Sequence, residues 1–543
     1  MRKTRSPVVA GLILAGVVVV SMVLNVTGIA WDVPSSDRNR FFPQDRIREL
    51  ASAKMGSSPY AGIPLASRHP DELYIVGSLK NLSISPLRLD PQHYEYPSLY
   101  IYSSAAMILA AQLAGLVHLT DSRDYYADHP DAMGRVFVVL RLLAAFMGAL
   151  TVVWLYALGR LVGRPWVGVL AGLTLAVTPA WVRDAHFTMV NVPLGFWMSG
   201  VAVCSVMISR RDAGLKWYML AGLFCGLATS TKYPGALALA MPAVAHICRS
   251  RSSRSRWRDL TDPLATCGLA AAVFVFTSPF VVLHWTRFVA QTARTSGSLR
   301  TLQLGNLRAW AAAVGLPLAF LCLGSVAWLA VRAIRRSDPP AWICLAWLAS
   351  TLFVPIVSES MYVRFMVPAL PALAFVAADG VAEVWSFLKT ALWRRVLLAG
   401  LVVVYAFTVY YAIRVSQVMR APSVCQRAAE WINAHAMPGS RIHVAPFNHH
   451  SPIVDTSRYR VDYLSRDGPV DLPALIVPAV EPLARRDYSM VSGCSYVPVV
   501  FESYPVPGWF APVAWYTDDW AYTFKRQVVW WRQTGPDECR RNS

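Results

Sequence analysis

The chain has 543 residues, of which 55% are hydrophobic and only 15% are charged. Because an ordinary soluble domain carries roughly 25% charged residues, this composition excludes a protein built only from soluble domains. The formal net charge of +19 could favour nucleic-acid binding, but the cations lie in short gaps between apolar runs, which is typical of a polytopic membrane protein.

Twelve apolar runs follow one another along the chain, and most approach the roughly 20 residues that a helix needs to cross a bilayer. They lie near residues 8–30, 97–118, 136–159, 165–182, 185–209, 217–231, 233–248, 263–286, 310–331, 340–358, 365–386 and 396–413. The first run follows three cations and resembles a signal peptide, but no clear small-residue cleavage site precedes Trp31. We therefore predict a retained signal anchor.

The basic clusters between the later runs indicate how many runs cross the membrane. If all twelve cross, the clusters within 210–216, 249–258, 332–336 and 389–395 face outward, opposite to the basic N-terminus. If eleven cross, all four face inward, as the positive-inside rule requires. The run 97–118 is the best candidate for a segment that does not cross, because polar residues interrupt it and acidic residues follow it. We predict a juxtamembrane or re-entrant helix there.

The predicted fold is an all-α polytopic membrane protein of about eleven transmembrane helices, with a small C-terminal α/β extracytoplasmic domain. In this plan the chain is a multi-pass protein of the plasma membrane, and its active site and C-terminal domain lie outside. The predicted domains are the signal-anchor helix (1–30), the first outer loop (31–134), the transmembrane core (135–414) and the C-terminal domain (415–543).

The polar C-terminal region carries its own secondary-structure signals. Cys425–Gly439 predicts a short helix ended by a Pro-Gly step, and Arg441–Ala445 and Tyr496–Phe501 are strand-like runs between turn signals. Six of the nine cysteines lie in apolar runs, where small core residues are expected. Two of the three in the C-terminal region could form a disulfide, and no metal-ligand spacing appears.

The first candidates for chemistry lie in the first outer loop, where His69, Asp71 and Glu72 surround Pro70 and Tyr96 follows later. A carboxylate in a pocket at the membrane surface can deprotonate an acceptor hydroxyl. Asp71 and Glu72 are therefore candidate catalytic residues, with His69 and Tyr96 in the pocket. The alternative is a solvated loop with an ordinary turn at Pro70.

Further pocket candidates lie at the edges of predicted spans. Asp184, His186 and Asn191 occupy the outer junction of the third and fourth spans, and Tyr362 precedes the tenth. Ionisable groups at such edges often mark a functional site, so these side chains could complete a donor or acceptor pocket. The alternative for the first group is helix capping and snorkelling at the interface.

Four cations are candidates for binding the phosphate of a lipid carrier: Lys232, Arg287, Arg300 and Arg364. Lys232 stands between two short apolar runs, which would hold its ammonium at headgroup depth. Arg287 and Arg300 belong to an outer stretch with four arginines and no acid, and Arg364 could hold a phosphate bidentately. The alternatives are interfacial anchoring, contact with anionic headgroups, and a structural pair of Arg364 with Glu359.

These segments, in this order, resemble the lipid-carrier-dependent glycosyltransferases of the GT-C fold, the group of the protein O-mannosyltransferases and the lipid A aminoarabinose transferase. Those enzymes have an Asp-Glu pair in the first outer loop, juxtamembrane helices, an aspartate in the second outer loop, a Gly-x-x-x-x-x-Lys step and a late Arg-Tyr/Phe-x-x-Pro step. The matching positions here are Asp71 with Glu72, 97–118, Asn191, Gly226–Lys232 and Arg364–Pro368. The resemblance covers roughly residues 8–414.

By this resemblance, Asp71 would be the catalytic base, and Lys232 and Arg364 would contact the phosphate of a polyprenyl-phosphate sugar. The reaction would be inverting, because a glycan, lipid or protein hydroxyl attacks the anomeric carbon as the polyprenyl phosphate leaves. Nucleic acid is not an expected partner. Two positions depart from the family pattern: Asn191 replaces the usual aspartate, and Tyr74 replaces an arginine of one branch. Asn191 leaves open whether the reaction uses a divalent cation, Mg or Mn, or none.

Three other functions fit parts of the sequence. A transporter or flippase for lipid-linked saccharides would show internal repeats and ionisable groups near mid-membrane, whereas no convincing repeat appears and the polar groups gather at one surface. An O-antigen ligase or polymerase also acts outside, but the early Asp-Glu loop favours the transferase group. An inactive relative with a binding or assembly role stays open because of Asn191.

Overall fold

The computed structural model of the protein describes residues 7–42, 47–53, 62–250, 260–296, 305–357, 362–444, 452–464, 473–477, 487–491, 494–502, 504–506 and 526–533. Within these ranges the chain is mostly helical. It forms two compact units, and both are discontinuous in sequence. Unit 1 comprises Met1–Thr27, Tyr74–Ala106 and Arg141–Ser416, and unit 2 comprises Gly28–Leu73, Met107–Leu140 and Gln417–Ser543. The four domain boundaries given above stay predictions.

Several helices begin at a proline, whose missing N–H costs nothing in the first turn. The helices are α1 (Pro7–Val26), α2 (Ser36–Asn39), α3 (Ile47–Ser52), α4 (Pro70–Leu79), α5 (Leu99–Leu113), α6 (Arg123–Asp128), α7 (Pro130–Leu161), α8 (Pro165–Ala176), α9 (Pro179–Ala185), α10 (Asn191–Ile208), α11 (Leu215–Thr231), α12 (Ala240–Ser250), α13 (Thr261–Thr277), α14 (Pro279–Leu283), α15 (Trp285–Ser296), α16 (Gly305–Val314), α17 (Leu316–Arg336), α18 (Pro339–Val357), α19 (Leu370–Phe387), α20 (Ala391–Val418) and α21 (Val424–His435). Among the described residues, 3₁₀ turns cover Ile63–Leu65, Tyr233–Leu239 and Val363–Ala369.

Seven helical segments in the described part of the chain are long and apolar enough to cross a membrane: α1, α7, α10, α17, α18, α20, and α19 with its preceding 3₁₀ turn. Helices α8 and α9 add an eighth if this pair, bent by 64°, is one span. The predicted multi-pass membrane protein is thus confirmed. The other three predicted spans, 217–231, 233–248 and 263–286, hold shorter helices of 17, 11 and 17 residues. The run 97–118 holds α5, of 15 residues.

Small residues bring α11 and α13 into close contact in unit 1. A Cβ atom added to Gly226 would lie 2.6 Å from the Cβ of Val273, and one added to Gly222 would lie 2.6 Å from the carbonyl oxygen of Thr266. Glycines four residues apart permit such close backbone approach between membrane helices. The packing fixes α11, which ends directly before Lys232.

A buried ion-pair network joins α8, α17 and α19 in unit 1. Arg332 Nη1 lies 2.5 Å from Asp379 Oδ2, and Arg332 Nε lies 3.1 Å from Asp338 Oδ2. Arg164, directly before α8, lies 3.0 Å from Asp379 and 2.6 Å from Glu383. Because Asp379 and Glu383 are almost fully buried, each carboxylate needs these partners.

In the described residues, unit 2 contains a mixed sheet of six strands. Numbered along the chain, the strands lie across the sheet in the order β4-β3-β5-β8-β7-β6. Its strands are β3 (Arg441–Val444), β4 (Arg460–Tyr463), β5 (Leu475–Val477), β6 (Met490–Val491), β7 (Cys494–Glu502) and β8 (Arg526–Arg532), and a separate hairpin in unit 1 pairs β1 (Ser83–Ile84) with β2 (Leu87–Arg88). Strands β4, β3 and β5 are parallel, whereas β8, β7 and β6 are antiparallel to their neighbours. With α21 against it, the sheet confirms the small C-terminal α/β domain.

The first loop and the C-terminal region share one hydrophobic core. Ile47 and Leu50 of α3 belong to the same cluster as Ile432 of α21 and Ile442 of β3. Two segments outside the membrane whose side chains share one core must lie on the same side of it. An even number of membrane crossings therefore separates the first loop from the C-terminal region. Eleven predicted spans give an even number of crossings between these two regions, whereas twelve spans would give an odd number.

Candidate active site

The candidate catalytic carboxylates lie at the start of α4. Asp71 and Glu72 occupy its first turn, directly after Pro70, where the helix dipole stabilises negative charge. The Glu72 N–H donates to the His69 carbonyl oxygen at 3.2 Å. His69, Asp71 and Glu72 are 1%, 8% and 0% exposed. This burial rules out the solvated loop considered above.

Two buried arginines, Arg38 and Arg68, support this segment within unit 2. Arg38 donates to the carbonyl oxygens of Ile63 and Ala66 at 2.8 and 2.7 Å. Arg68 Nε lies 3.7 Å from Asp32 Oδ2, and both side chains are almost completely buried. No local pattern signals either arrangement, because the partners lie 25 residues or more apart in the sequence.

Lys232 and Asn191 are brought together in unit 1. Lys232 caps the C-terminal end of α11 in an extended conformation, and its Nζ donates to Asn191 Oδ1 at 2.8 Å. Asn191 is the first residue of α10 and is 1% exposed. The chain then folds back tightly on α11, since a Cβ added to Gly235 would lie 2.3 Å from the Ala228 carbonyl carbon. Glycine at this position thus keeps Lys232 at the end of the helix.

Lys232 and Arg364 approach the same aromatic ring. The Phe365 ring centroid lies 4.7 Å from Lys232 Nζ and 5.6 Å from Arg364 Cζ. Arg364 Cζ also lies 4.4 Å from the Tyr362 ring centroid, and the Tyr362 and Phe365 rings meet edge to face. Attraction between a cation and a ring face helps to hold both side chains in place. Phe365 was not among the predicted site residues, although it is the aromatic position of the late Arg-Tyr/Phe-x-x-Pro step.

Asp184 and His186 have structural partners in unit 1. Arg183 Nη1 lies 2.7 Å from Asp184 Oδ1, and both side chains are fully buried. The His186 ring nitrogens lie 2.6 and 2.9 Å from the carbonyl oxygens of Val182 and Thr27. These contacts tie α9 to its neighbours, and a pocket role for either residue stays a prediction.

The remaining candidates are spread over several segments. Tyr96 packs edge to face against Tyr74, with ring centroids 6.3 Å apart. Arg287 is exposed on α15. Arg300 and Glu359 lie outside the described residues.

In the described ranges, no group of three or more His, Cys, Asp or Glu side chains could hold a metal ion. The Asn191 side-chain oxygen already accepts from an ammonium group at 2.8 Å. A divalent cation at that oxygen would meet the positive charge of Lys232, so this arrangement does not fit one.

The family model for dolichyl-phosphate-mannose-protein mannosyltransferase matches residues 112–292, a stretch that contains Asn191 and Lys232. The match confirms the resemblance to lipid-carrier-dependent membrane glycosyltransferases. No curated protein matches the sequence significantly.

Solved structures of this class are similar at low identity. The archaeal oligosaccharyltransferase AglB from Archaeoglobus fulgidus, in complex with an inhibitory peptide and a dolichol-phosphate, is 12% identical over 82% of this chain, with a TM-score of 0.49. The present chain spans only 64% of AglB. ArnT from Cupriavidus metallidurans bound to undecaprenyl phosphate is 16% identical over 97% of this chain and 98% of its own, with a TM-score of 0.45. The S. cerevisiae protein O-mannosyltransferase Pmt1-Pmt2 complex bound to the sugar donor is 17% identical over 52% of this chain and 35% of its own, with a TM-score of 0.36.

Proposed function

We propose that this protein is an inverting membrane glycosyltransferase that moves a sugar from a polyprenyl-phosphate carrier to an acceptor hydroxyl on the outer face of the membrane. The observation that carries the proposal is the pair of cations, Lys232 and Arg364, on the single Phe365 ring. The family match over residues 112–292 supports the same class of reaction.

The charge change during transfer explains why two cations would be needed. A sugar linked through phosphate to a polyprenol is a phosphodiester with one negative charge. When the acceptor oxygen bonds to the anomeric carbon, the sugar–oxygen bond breaks and its electron pair stays on the leaving phosphate. The charge that develops there is stabilised by Lys232 and by the donor groups of Arg364. Fixing both side chains beforehand lowers the cost of ordering them in the transition state.

Asp71 is the proposed base, which removes the proton of the acceptor hydroxyl as that oxygen attacks the anomeric carbon. Burial and the first turn of α4 hold this carboxylate in place. Glu72 is proposed as its catalytic neighbour, with His69 and Tyr96 as pocket residues. A general base of this kind typically contributes a rate factor of about 10² to 10⁴.

Two observations in unit 2 support an outer position for the site. Cys494 is disulfide-bonded, and disulfides persist in oxidising compartments outside the cytoplasm. The first loop, which contains Asp71, shares a core with the same region. We therefore propose that the first loop and the C-terminal domain face outward from the plasma membrane.

The test compares the wild-type protein with Asp71→Asn in vesicles supplied with tritium-labelled decaprenyl-phosphoryl mannose. Label should pass to endogenous acceptors in the wild type, and Asp71→Asn should lower the rate by about 100-fold or more. Asp128→Asn is the matched control, since Asp128 is a carboxylate of α6 that pairs with Arg48 at the surface. If Asp71→Asn transferred the label as fast as the wild type does, Asp71 would not be the base. If the labelled lipid crossed the vesicle membrane but its sugar was not transferred, the flippase alternative would replace the proposal.

A further inference from the structure

We infer that Glu95 is a specificity-determining residue, whose carboxylate accepts hydrogen bonds from hydroxyl groups of the sugar in the polyprenyl-phosphate donor. This inference rests on the proposed function and concerns the part of the same site that holds the sugar. Glu95 lies in unit 1, in the short segment of the first loop that leads into α5.

The Glu95 carboxylate has an oxygen atom that needs a hydrogen-bond donor. Its Oε2 atom is buried, and among the described residues no group donates to it. The residue as a whole is only partly buried, so a ligand can reach its side chain. A buried carboxylate oxygen without a donor lowers the stability of a protein, which makes Glu95 a candidate for contact with a ligand.

Hydrogen bonds hold the backbone on both sides of Glu95. The Tyr94 N–H donates to the side-chain oxygen of Gln291 at 2.7 Å, and the Ser98 N–H donates to the Ser278 hydroxyl at 3.0 Å. Tyr94 and Ser98 are almost completely buried. A side chain on a backbone fixed in this way loses less entropy when it binds a ligand.

The same backbone is joined to the residue that follows Lys232. The Tyr233 hydroxyl donates to the Tyr94 carbonyl oxygen at 2.7 Å, and the Glu95 carboxylate is close enough to Tyr233 to act on it electrostatically. In a polyprenyl-phosphate sugar, the sugar is bonded directly to the phosphate. A side chain beside the proposed phosphate contact therefore lies where we expect the sugar.

The charge of Glu95 indicates which part of the donor it would bind. A carboxylate repels a phosphate, whereas sugar hydroxyls are hydrogen-bond donors and one carboxylate can accept from two of them. A site of this kind rejects a sugar that lacks the contacted hydroxyl, because the carboxylate oxygen is then left without a donor.

The first measurement compares the affinity of the purified protein for decaprenyl-phosphoryl mannose and for decaprenyl phosphate. Glu95→Gln should weaken binding of the sugar-linked lipid by about tenfold, because a hydrogen bond to a charged group is lost. Binding of decaprenyl phosphate should not change. The thermal unfolding midpoint should stay equal or rise, because a neutral amide replaces a carboxylate that has a buried oxygen without a donor. Glu430→Gln is the matched control, since Glu430 pairs with Arg40 at the surface.

Three results would overturn the inference alone. Glu95→Gln could bind decaprenyl-phosphoryl mannose as tightly as the wild type does, it could lose affinity for both lipids by the same factor, or its unfolding midpoint could fall markedly. If the wild-type protein bound neither lipid, the proposed function would fail and the inference with it.

A set of monodeoxy mannose donors identifies the contacted hydroxyl. Removal of that hydroxyl should weaken binding to the wild type by about tenfold, but should have little effect in Glu95→Ala, in which the acceptor oxygens are already gone. If every analogue lost the same factor in both proteins, Glu95 would not contact the sugar.

Discussion

Positively charged side chains make different kinds of contact at the two ends of the helices α18 and α19. At one end, Arg332 and Arg164 lie within 3.0 Å of the carboxylates of Asp379 and Glu383. At the other end, Arg364 lies on the Tyr362 ring. Paired charges of the first kind maintain the packing of helices. At the second end the cations contact aromatic rings, and Lys232 also contacts an amide; these are the cations that we propose bind the carrier phosphate.

The largest expected effect comes from breaking the paired end. Arg332→Met would leave the buried Asp379 carboxylate without its closest partner. Loss of one member of a buried pair typically costs about 3–5 kcal/mol, so the unfolding midpoint of the purified protein should fall strongly. The measurement is thermal unfolding in detergent.

A matched control is available on the same helix. Arg335 is exposed at the end of α17, and Arg335→Met should leave the midpoint nearly unchanged. If Arg332→Met and Arg335→Met unfold at the same temperature, the network does not stabilise the fold and the comparison between the two ends fails.

The next largest effect should come from Lys232→Met. Loss of one charge-assisted contact to the leaving phosphate should lower the rate of sugar transfer by roughly 100-fold, with little change in the unfolding midpoint. Lys216→Met is the control, because Lys216 lies at the start of the same helix and contacts the Trp217 ring at 5.3 Å. A large loss of stability in Lys232→Met, without a specific loss of transfer, would place Lys232 with the structural cations.

The smallest effect should come from Phe365→Leu, which removes the ring shared by Lys232 and Arg364. Cation–π contacts at partly exposed sites contribute about 0.5–1 kcal/mol each. The KM for decaprenyl-phosphoryl mannose should therefore rise a few-fold, while kcat changes less. Trp217→Leu, beneath the control residue Lys216, should leave this KM unchanged. An unaltered KM in Phe365→Leu would mean that the ring does not position the cations.

Hydropathy was sufficient to predict the membrane-spanning architecture and much of the C-terminal domain. The predicted helix at Cys425–Gly439 is observed as Val424–His435, and the strand at Tyr496–Phe501 as β7. The run 97–118 holds a helix too short to span, as its polar residues indicated. These features depend on local composition, which can be read from consecutive residues of the sequence.

Side-chain partners could not be predicted in the same way. Asn191 and Lys232 lie 41 residues apart, and their bond depends on how α10 and α11 are rotated about their axes. The bend at Pro179 also divides a run that looks continuous in composition. Periodicity does not determine such packing angles, so the contact between Asn191 and Lys232 could not be predicted from the sequence.

The central claim is that Lys232 and Arg364 bind the phosphate of the lipid carrier. It is tested most directly by photo-crosslinking with an undecaprenyl phosphate analogue that carries a diazirine on the isoprene unit next to the phosphate. Mass spectrometry should find the label in peptides containing Lys232 and Tyr362–Phe365, and excess undecaprenyl phosphate should suppress it. Suppressible labelling confined to other peptides would contradict the account.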